Sequence, residues 1–188
     1  MLYWNDSSLV ANNPFLENVS QPIQLVIRDG TAGINHIFTE FLSTVDSDWA
    51  ADYGVLDSFP VANFSHIRYS DLRKMLAYVE LNPYSLTYSS LALSLSYVDT
   101  SFFVGLQRGD LRFDLNSQSM AAASHFFSPT TDVYPAELAQ SDTAWPIALA
   151  TYMLIDSGEC GTTYRTARAL RWWFASDDAH LAIKAAGL

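Results

Sequence analysis

Gln24-Leu25-Val26-Ile27-Arg28-Asp29-Gly30-Thr31-Ala32-Gly33-Ile34-Asn35 changes character twice along its length. Leu25, Val26 and Ile27 make a short apolar run, as expected of a buried strand ending at Arg28, and Asp29-Gly30-Thr31-Ala32-Gly33 has the composition of a turn. Beyond it Ile34, Ile37, Phe38, Phe41 and Leu42 recur at helical spacing. The order strand, glycine-containing loop, helix predicts an α/β unit. It also carries chemistry. A strand that ends in arginine and turns into a helix gathers backbone N–H groups and the positive end of a helix dipole around one point, where an oxyanion is stabilised. Arg28 offers a planar fork for two oxygens of a tetrahedral anion, and an Asp29 ion pair is expected to orient it. Gly30 and Gly33 are expected to allow close backbone approach, and Thr31 and Asn35 to add side-chain hydrogen bonds. The bland alternative stays open: Arg28 and Asp29 pair across a turn that holds no ligand.

Outward from this stretch, Ser70 is placed to cap a helix with the apolar face Leu72, Met75, Leu76 and Val79, ending before Asn82-Pro83. Residues 85–88 and 102–105 read as short strands, and 107–114 as a turn or hairpin. Residues 117–127 read as an alanine-rich helix broken by Ser128-Pro129-Thr130-Thr131, and 147–155 are strongly β-prone. Two helices are predicted to close the chain, one over about residues 163–175 and one starting from Ser176 as N-cap and ending at Gly187. There is no internal repeat and no low-complexity linker.

Composition limits the functional classes. Twenty acidic residues against ten basic ones leave a formal net charge of −10, the wrong sign for holding nucleic acid or anionic lipid. Apolar residues make up 49% of the 188, enough for one domain or two small lobes to fold around a core. Cys160 is the single cysteine, so no intrachain disulfide forms. The richest apolar window, residues 86–98, is interrupted by Ser89, Ser90, Ser94 and Ser96 and is no membrane span. Residues 1–6 have neither a basic nor an apolar signal region, and glycosylation sequons fall at Asn5, Asn18 and Asn63. His36, His66, His125 and His180 are scattered without metal-ligand spacing, and His36 in a surface or half-buried helix outweighs His36 as a ligand contact. There is no G-x-S-x-G elbow, Asp177-Asp178 reads as helix N-terminal charge, and Trp172-Trp173 reads as packing. No cofactor, metal or catalytic residue is expected, and the chain is not read as an enzyme.

The order of motifs resembles the PstS-like phosphate-binding proteins of ABC importers, within the type II periplasmic-binding-protein superfamily. Tyr3-Trp4-Asn5-Asp6, Pro22-Ile23-Gln24-Leu25-Val26-Ile27-Arg28-Asp29-Gly30 and Phe38-Thr39-Glu40-Phe41-Leu42-Ser43 carry the resemblance at the start. Pro83-Tyr84-Ser85-Leu86-Thr87-Tyr88, residues 116–123, Trp145-Pro146-Ile147 and the closing Gly187-Leu188 continue it, with Tyr84 and Thr87 where the family favours glycine. The family's loop reads R-x-D-G-S-G-T-T. Arg28 and Gly33 match it, Asp29-Gly30 match after one deletion, Thr31 stands for the serine with Ala32 inserted, and Ile34 and Asn35 replace the paired threonines. Losing the hydroxyl at Ile34 removes about 1.5–3 kcal/mol of bonding to a charged ligand, roughly tenfold or more in affinity.

The resemblance implies an α/β lobe with a mixed sheet flanked by helices. It implies one domain over residues 1–188, with about 1–144 corresponding to the family's second lobe and 145–188 to the return toward the first. The family's first-lobe segment has no counterpart, so the clamshell is expected to be incomplete. The implied function is non-catalytic binding of phosphate or a related oxyanion by Arg28, Asp29, Gly30, Thr31, Gly33 and Asn35, in a periplasmic or extracellular setting. The alternative is a degenerate domain that has lost the anion and serves a larger extracellular protein through protein contacts. In that case another chain or the missing lobe packs on the open face.

Overall fold

A computed structural model describes residues 2–61, 66–127, 136–150 and 162–185. Asn63, residues 128–131 and 151–155, Cys160 and Gly187 lie outside the described residues. The chain divides into two compact units, Met1–Phe103 and Val104–Leu188.

The first unit runs through α1 (Ser7–Val10), β1 (Gln24–Arg28), α2 (Gly33–Val45), α3 (Ser47–Asp52), β2 (Ile67–Tyr69), α4 (Leu72–Leu81), β3 (Ser85–Leu86) and α5 (Leu91–Leu95). Its three strands are parallel in the order β2-β1-β3. Val26 and Ile27 lie at the centre of the middle strand at 1% and 5% exposure, as an apolar β-branched pair between two neighbouring strands should. Parallel pairing demands crossovers, which α2 with α3 and then α4 supply. Ile27 is in register with Arg68, and Arg28 with Tyr69. Because β2 lies on one side of β1 and β3 on the other, the connections diverge at β1, and the carboxyl end of β1 is the switch point where such sheets open a crevice.

Helix α4 buries Met75 and Leu76, as its spacing predicts. Its cap is Asp71 and not Ser70: Asp71 has extended backbone, and its carboxylate accepts from the Arg73 amide at 2.8 Å. The helix ends at Asn82 ahead of Pro83, and Tyr84 then takes a positive φ of 68° that the family's glycine would adopt without strain. The strand expected over residues 85–88 stops at Leu86. Beyond it side-chain hydroxyls replace the ladder, with Thr87 Oγ1 donating to the Val26 carbonyl at 2.9 Å and the Arg28 amide donating to the Tyr88 hydroxyl at 3.2 Å.

The second unit has β4 (Leu106–Arg108), β5 (Leu111–Phe113), α6 (Ser117–Ser124), α7 (Ala136–Gln140), α8 (Thr162–Phe174) and α9 (Asp177–Ala185). The predicted hairpin is present as the antiparallel pair β4-β5, turning at Gly109 with φ 56°. Residues 102–105 are not a strand, since Thr100–Phe102 close a 3-10 turn capped by Asp99. Residues 147–150, the described part of the β-prone run, hold no strand either. Arg108 joins the hairpin to the end of α7 by donating to the carbonyls of Ala139 and Ser141 and pairing with Asp142. Phe113, Ala123, Leu138, Ala144 and Trp145 are buried. Helix α9 starts on Ser176, whose hydroxyl accepts from the Ala179 amide. The fold is α/β, and the expected mixed sheet is, among the described residues, one parallel sheet and one antiparallel hairpin. No helix of the described residues is long and apolar enough to cross a membrane.

Candidate functional site

Helix α2 begins on Ala32, an extended residue with no side chain able to cap. The amides of Asn35 and His36 both turn back to the Ala32 carbonyl. Those of Gly33 and Ile34 have no acceptor among the described residues. A thirteen-residue helix therefore presents free N–H groups and its dipole at one end. Ahead of it Gly30 holds φ 76°, and a Cβ built at either Gly30 or Gly33 would meet nothing within 4 Å. The space over both glycines is open, Thr31 is exposed beside it, and the half-buried Arg28 lies at the end of β1. Arg28 thus ends the strand that leads into the loop of Gly30, Thr31 and Gly33, and two amides at the start of α2 have no acceptor among the described residues.

The other two expected site residues have different roles. The Asp29 carboxylate does not hold the Arg28 guanidinium; it accepts from Arg68 Nε at 3.0 Å and pairs with the same guanidinium's Nη2 at 3.0 Å. Alternation along the strand explains this. Ile27 and Asp29 share one face of the sheet, Arg28 faces the other way, and Arg68 sits in register with Ile27. The Asp29 amide also bonds the Tyr69 carbonyl at 2.9 Å, which extends the ladder and holds the carboxylate on the Arg68 side. Arg68 is only 15% exposed and donates as well to the Phe59 carbonyl at 2.6 Å. The Arg28 guanidinium bonds the Asp29 main-chain carbonyl instead.

Asn35 is fully buried and unavailable to a ligand. Its amide nitrogen bonds the carbonyls of Arg28 at 3.2 Å, Gly30 at 3.1 Å and Asp57 at 3.1 Å. Its oxygen accepts from the Tyr88 hydroxyl at 2.5 Å. The two amide protons are shared among carbonyls of the protein, which leaves none for an anion. Burial pushes the Tyr88 phenol up to about 12, outweighing the Arg28 amide bond and the charges of Arg28 and Arg68, so the hydroxyl remains a donor at neutral pH. The Tyr88 ring stacks on Phe38 of α2 at 4.6 Å and 8°.

A second tie lies one turn along the helix. Buried Thr39 accepts from the Leu56 amide at 2.8 Å, and the Ala32 amide donates to the Asp57 carbonyl at 3.0 Å, so the segment around Asp57 is bound to the start of α2. Exposed His36 is turned to Asp57, with Nδ1 and Oδ1 2.8 Å apart, and to Glu40 at 3.7 Å. Among the described residues no cluster of His, Cys, Asp and Glu is arranged to hold a metal ion. Ser89 Oγ, just past Tyr88, is buried without a hydrogen-bond partner.

Sequence reading missed Arg68, Tyr88, Thr39 and Asp57. The phrase Ile67-Arg68-Tyr69 has no run long enough to announce a strand, and Tyr88 fell in the recognised strand phrase without any sign that its hydroxyl crosses to α2.

No family model matches the chain. Among curated proteins it is similar to the phosphate-binding protein PstS of Haemophilus influenzae, 26% identical over 176 residues, which is 92% of this chain and 52% of that protein. The similarity is distant and supports a PstS-like relationship. The chain spans about half the length of the curated relative it matches. That relative is named as a binding protein, not an enzyme.

Proposed function

We propose that the chain is a non-catalytic solute-binding module that holds phosphate or a related oxyanion at the start of α2. The observation that carries this reading is the uncapped helix N-terminus, with the Gly33 and Ile34 amides unmatched and open space over Gly30 and Gly33. In this reading those amides and the Thr31 hydroxyl bind the anion oxygens and the Arg28 guanidinium adds charge. Asp29 acts one step away, holding Arg68 beside the loop, and Asn35 supports the loop from below. The relative's name, phosphate-binding protein, supports the choice of anion. By the same likeness we assign the chain to the type II periplasmic-binding-protein fold, about residues 1–144 corresponding to one lobe, in a periplasmic or extracellular setting.

Calorimetry with phosphate, sulfate and arsenate, on the wild-type chain and on Arg28→Ala, tests the proposal. Binding of about millimolar affinity or tighter that disappears in the variant is the expected result. Wild-type silence toward every anion would overturn it.

A second reading, a protein-contact module without an anion, is favoured by the apolar surface of α8. Trp172 is 70% exposed, and Leu170, Trp173 and Phe174 are exposed beside it. In that reading another chain or a missing lobe packs on this face, and the calorimetry is silent.

A further inference from the structure

We infer that Tyr88 and Asn35 are positioning residues for the anion site: a buried hydroxyl–carboxamide brace sets the direction of the loop amides and of Arg28 without touching the ligand. This rests on the phosphate reading above. The loop over residues 29–33 is largely exposed; its ends are tied by the Asp29 amide to the Tyr69 carbonyl and by the Ala32 amide to the Asp57 carbonyl, and Asp29 pairs with Arg68. Across the turn itself one side chain bridges two main-chain carbonyls. The Arg28 and Gly30 carbonyls, on either side of Asp29, are both drawn to the Asn35 amide, and the Asp57 carbonyl beside the loop joins them.

A carboxamide shared in this way holds its carbonyls in place only while its own plane is fixed. The Tyr88 hydroxyl fixes it by donating to Oδ1 at 2.5 Å. The same hydroxyl accepts from the Arg28 amide, so the Arg28 backbone is gripped at its N–H by Tyr88 and at its carbonyl by Asn35. Tyr88 is itself held by its stack on Phe38 of α2, and the helix face that carries Asn35 and Thr39 is tied to the 56–57 segment. Strand end, loop and helix start thereby share one polar junction. Removing the hydroxyl leaves a buried acceptor and a buried amide unpaired and frees the carboxamide to turn.

The test compares Tyr88→Phe, which keeps the ring and its stack, with Thr87→Val, which removes the neighbouring side-chain bond onto β1 at Val26 and leaves the loop alone. Inorganic phosphate is titrated by calorimetry at a temperature where every chain is folded, and thermal midpoints are measured alongside. Tyr88→Phe should weaken phosphate binding by about tenfold or more. Thr87→Val should lower the midpoint about as much as Tyr88→Phe does, with phosphate affinity unchanged. Should Tyr88→Phe bind like the wild type, or Thr87→Val lose affinity equally, the brace is overturned while the anion site stands. Wild-type silence toward phosphate overturns both, and is seen in the first titration. Nuclear magnetic resonance of the wild-type chain gives an answer that does not depend on a variant folding: the Asn35 side-chain amide signals should shift as phosphate saturates, and unmoved signals would overturn the brace.

Discussion

Helix α6 begins on Asn116, whose carboxamide accepts from the Gln118 and Ser119 amides while the Ser119 hydroxyl accepts in turn from the Asn116 amide. Helix α2 begins on Ala32 and closes nothing with a side chain. The caps of α1, α3 and α4 are Asp6, Asp46 and Asp71, each accepting from the helix it starts. An N-terminus with such a cap has one or two of its first amides satisfied without a ligand. One left open, beside an arginine and two glycines with free space above them, retains donors that an external acceptor would satisfy. The asparagine near α2 does not close it, because Asn35 lies inside the helix and faces inward.

Asn35→Ala is the most severe way to break this contrast. It leaves the Arg28, Gly30 and Asp57 carbonyls and the Tyr88 hydroxyl without their shared partner, and should cost about 3 kcal/mol in urea unfolding. An effect below about 1 kcal/mol would show that the junction is not where the loop's stability resides.

Exchanging the two kinds of cap sharpens it. Asn116→Ala should destabilise by about 1 kcal/mol, equally with and without phosphate. Ala32→Asp places a carboxylate where the backbone is already extended, as a cap requires, and should stabilise the free chain by about 1 kcal/mol while abolishing phosphate binding through charge repulsion. Retained binding in Ala32→Asp would place the anion elsewhere. Denaturation curves with and without phosphate read both variants.

The smallest effect is confined to alkaline solution. Tyr88 ionises at about 12 in the fold against 10.0 when free, so the folded state favours its neutral form. Its contribution is fully present below pH 10 and is lost as pH rises through about 12. The difference in stability between the wild type and Tyr88→Phe should be constant through neutral pH and shrink above pH 10. A difference that stays constant across that window would mean the phenol is not desolvated as the geometry requires.

The parts of the site that could be read in advance were local. Arg28, Gly30, Thr31 and Gly33 lie along one strand, turn and helix start that follow one another in the chain, and each announces itself within a few residues. The hairpin at Gly109 and the α4 face of Met75 and Leu76 were legible for the same reason. Asp29 was assigned to the wrong arginine because sequence adjacency puts it next to Arg28, while strand alternation puts it on the face of Arg68. Asn35 reads as a ligand group in sequence because a polar residue near the start of a helix carries no mark of whether it faces in or out.

Hydrophobic period and turn chemistry, properties of neighbouring residues, are enough to settle from the amino-acid order that an α/β unit forms here and that its loop carries an arginine and two glycines. Which guanidinium holds Asp29, and that a tyrosine fifty-three positions from Asn35 steadies its carboxamide, followed only from the parallel register of β1 with β2 and the departure of β3 after Leu86. Pairings of that kind depend on distance through space, and the chain's linear order does not encode that distance until the sheet has formed.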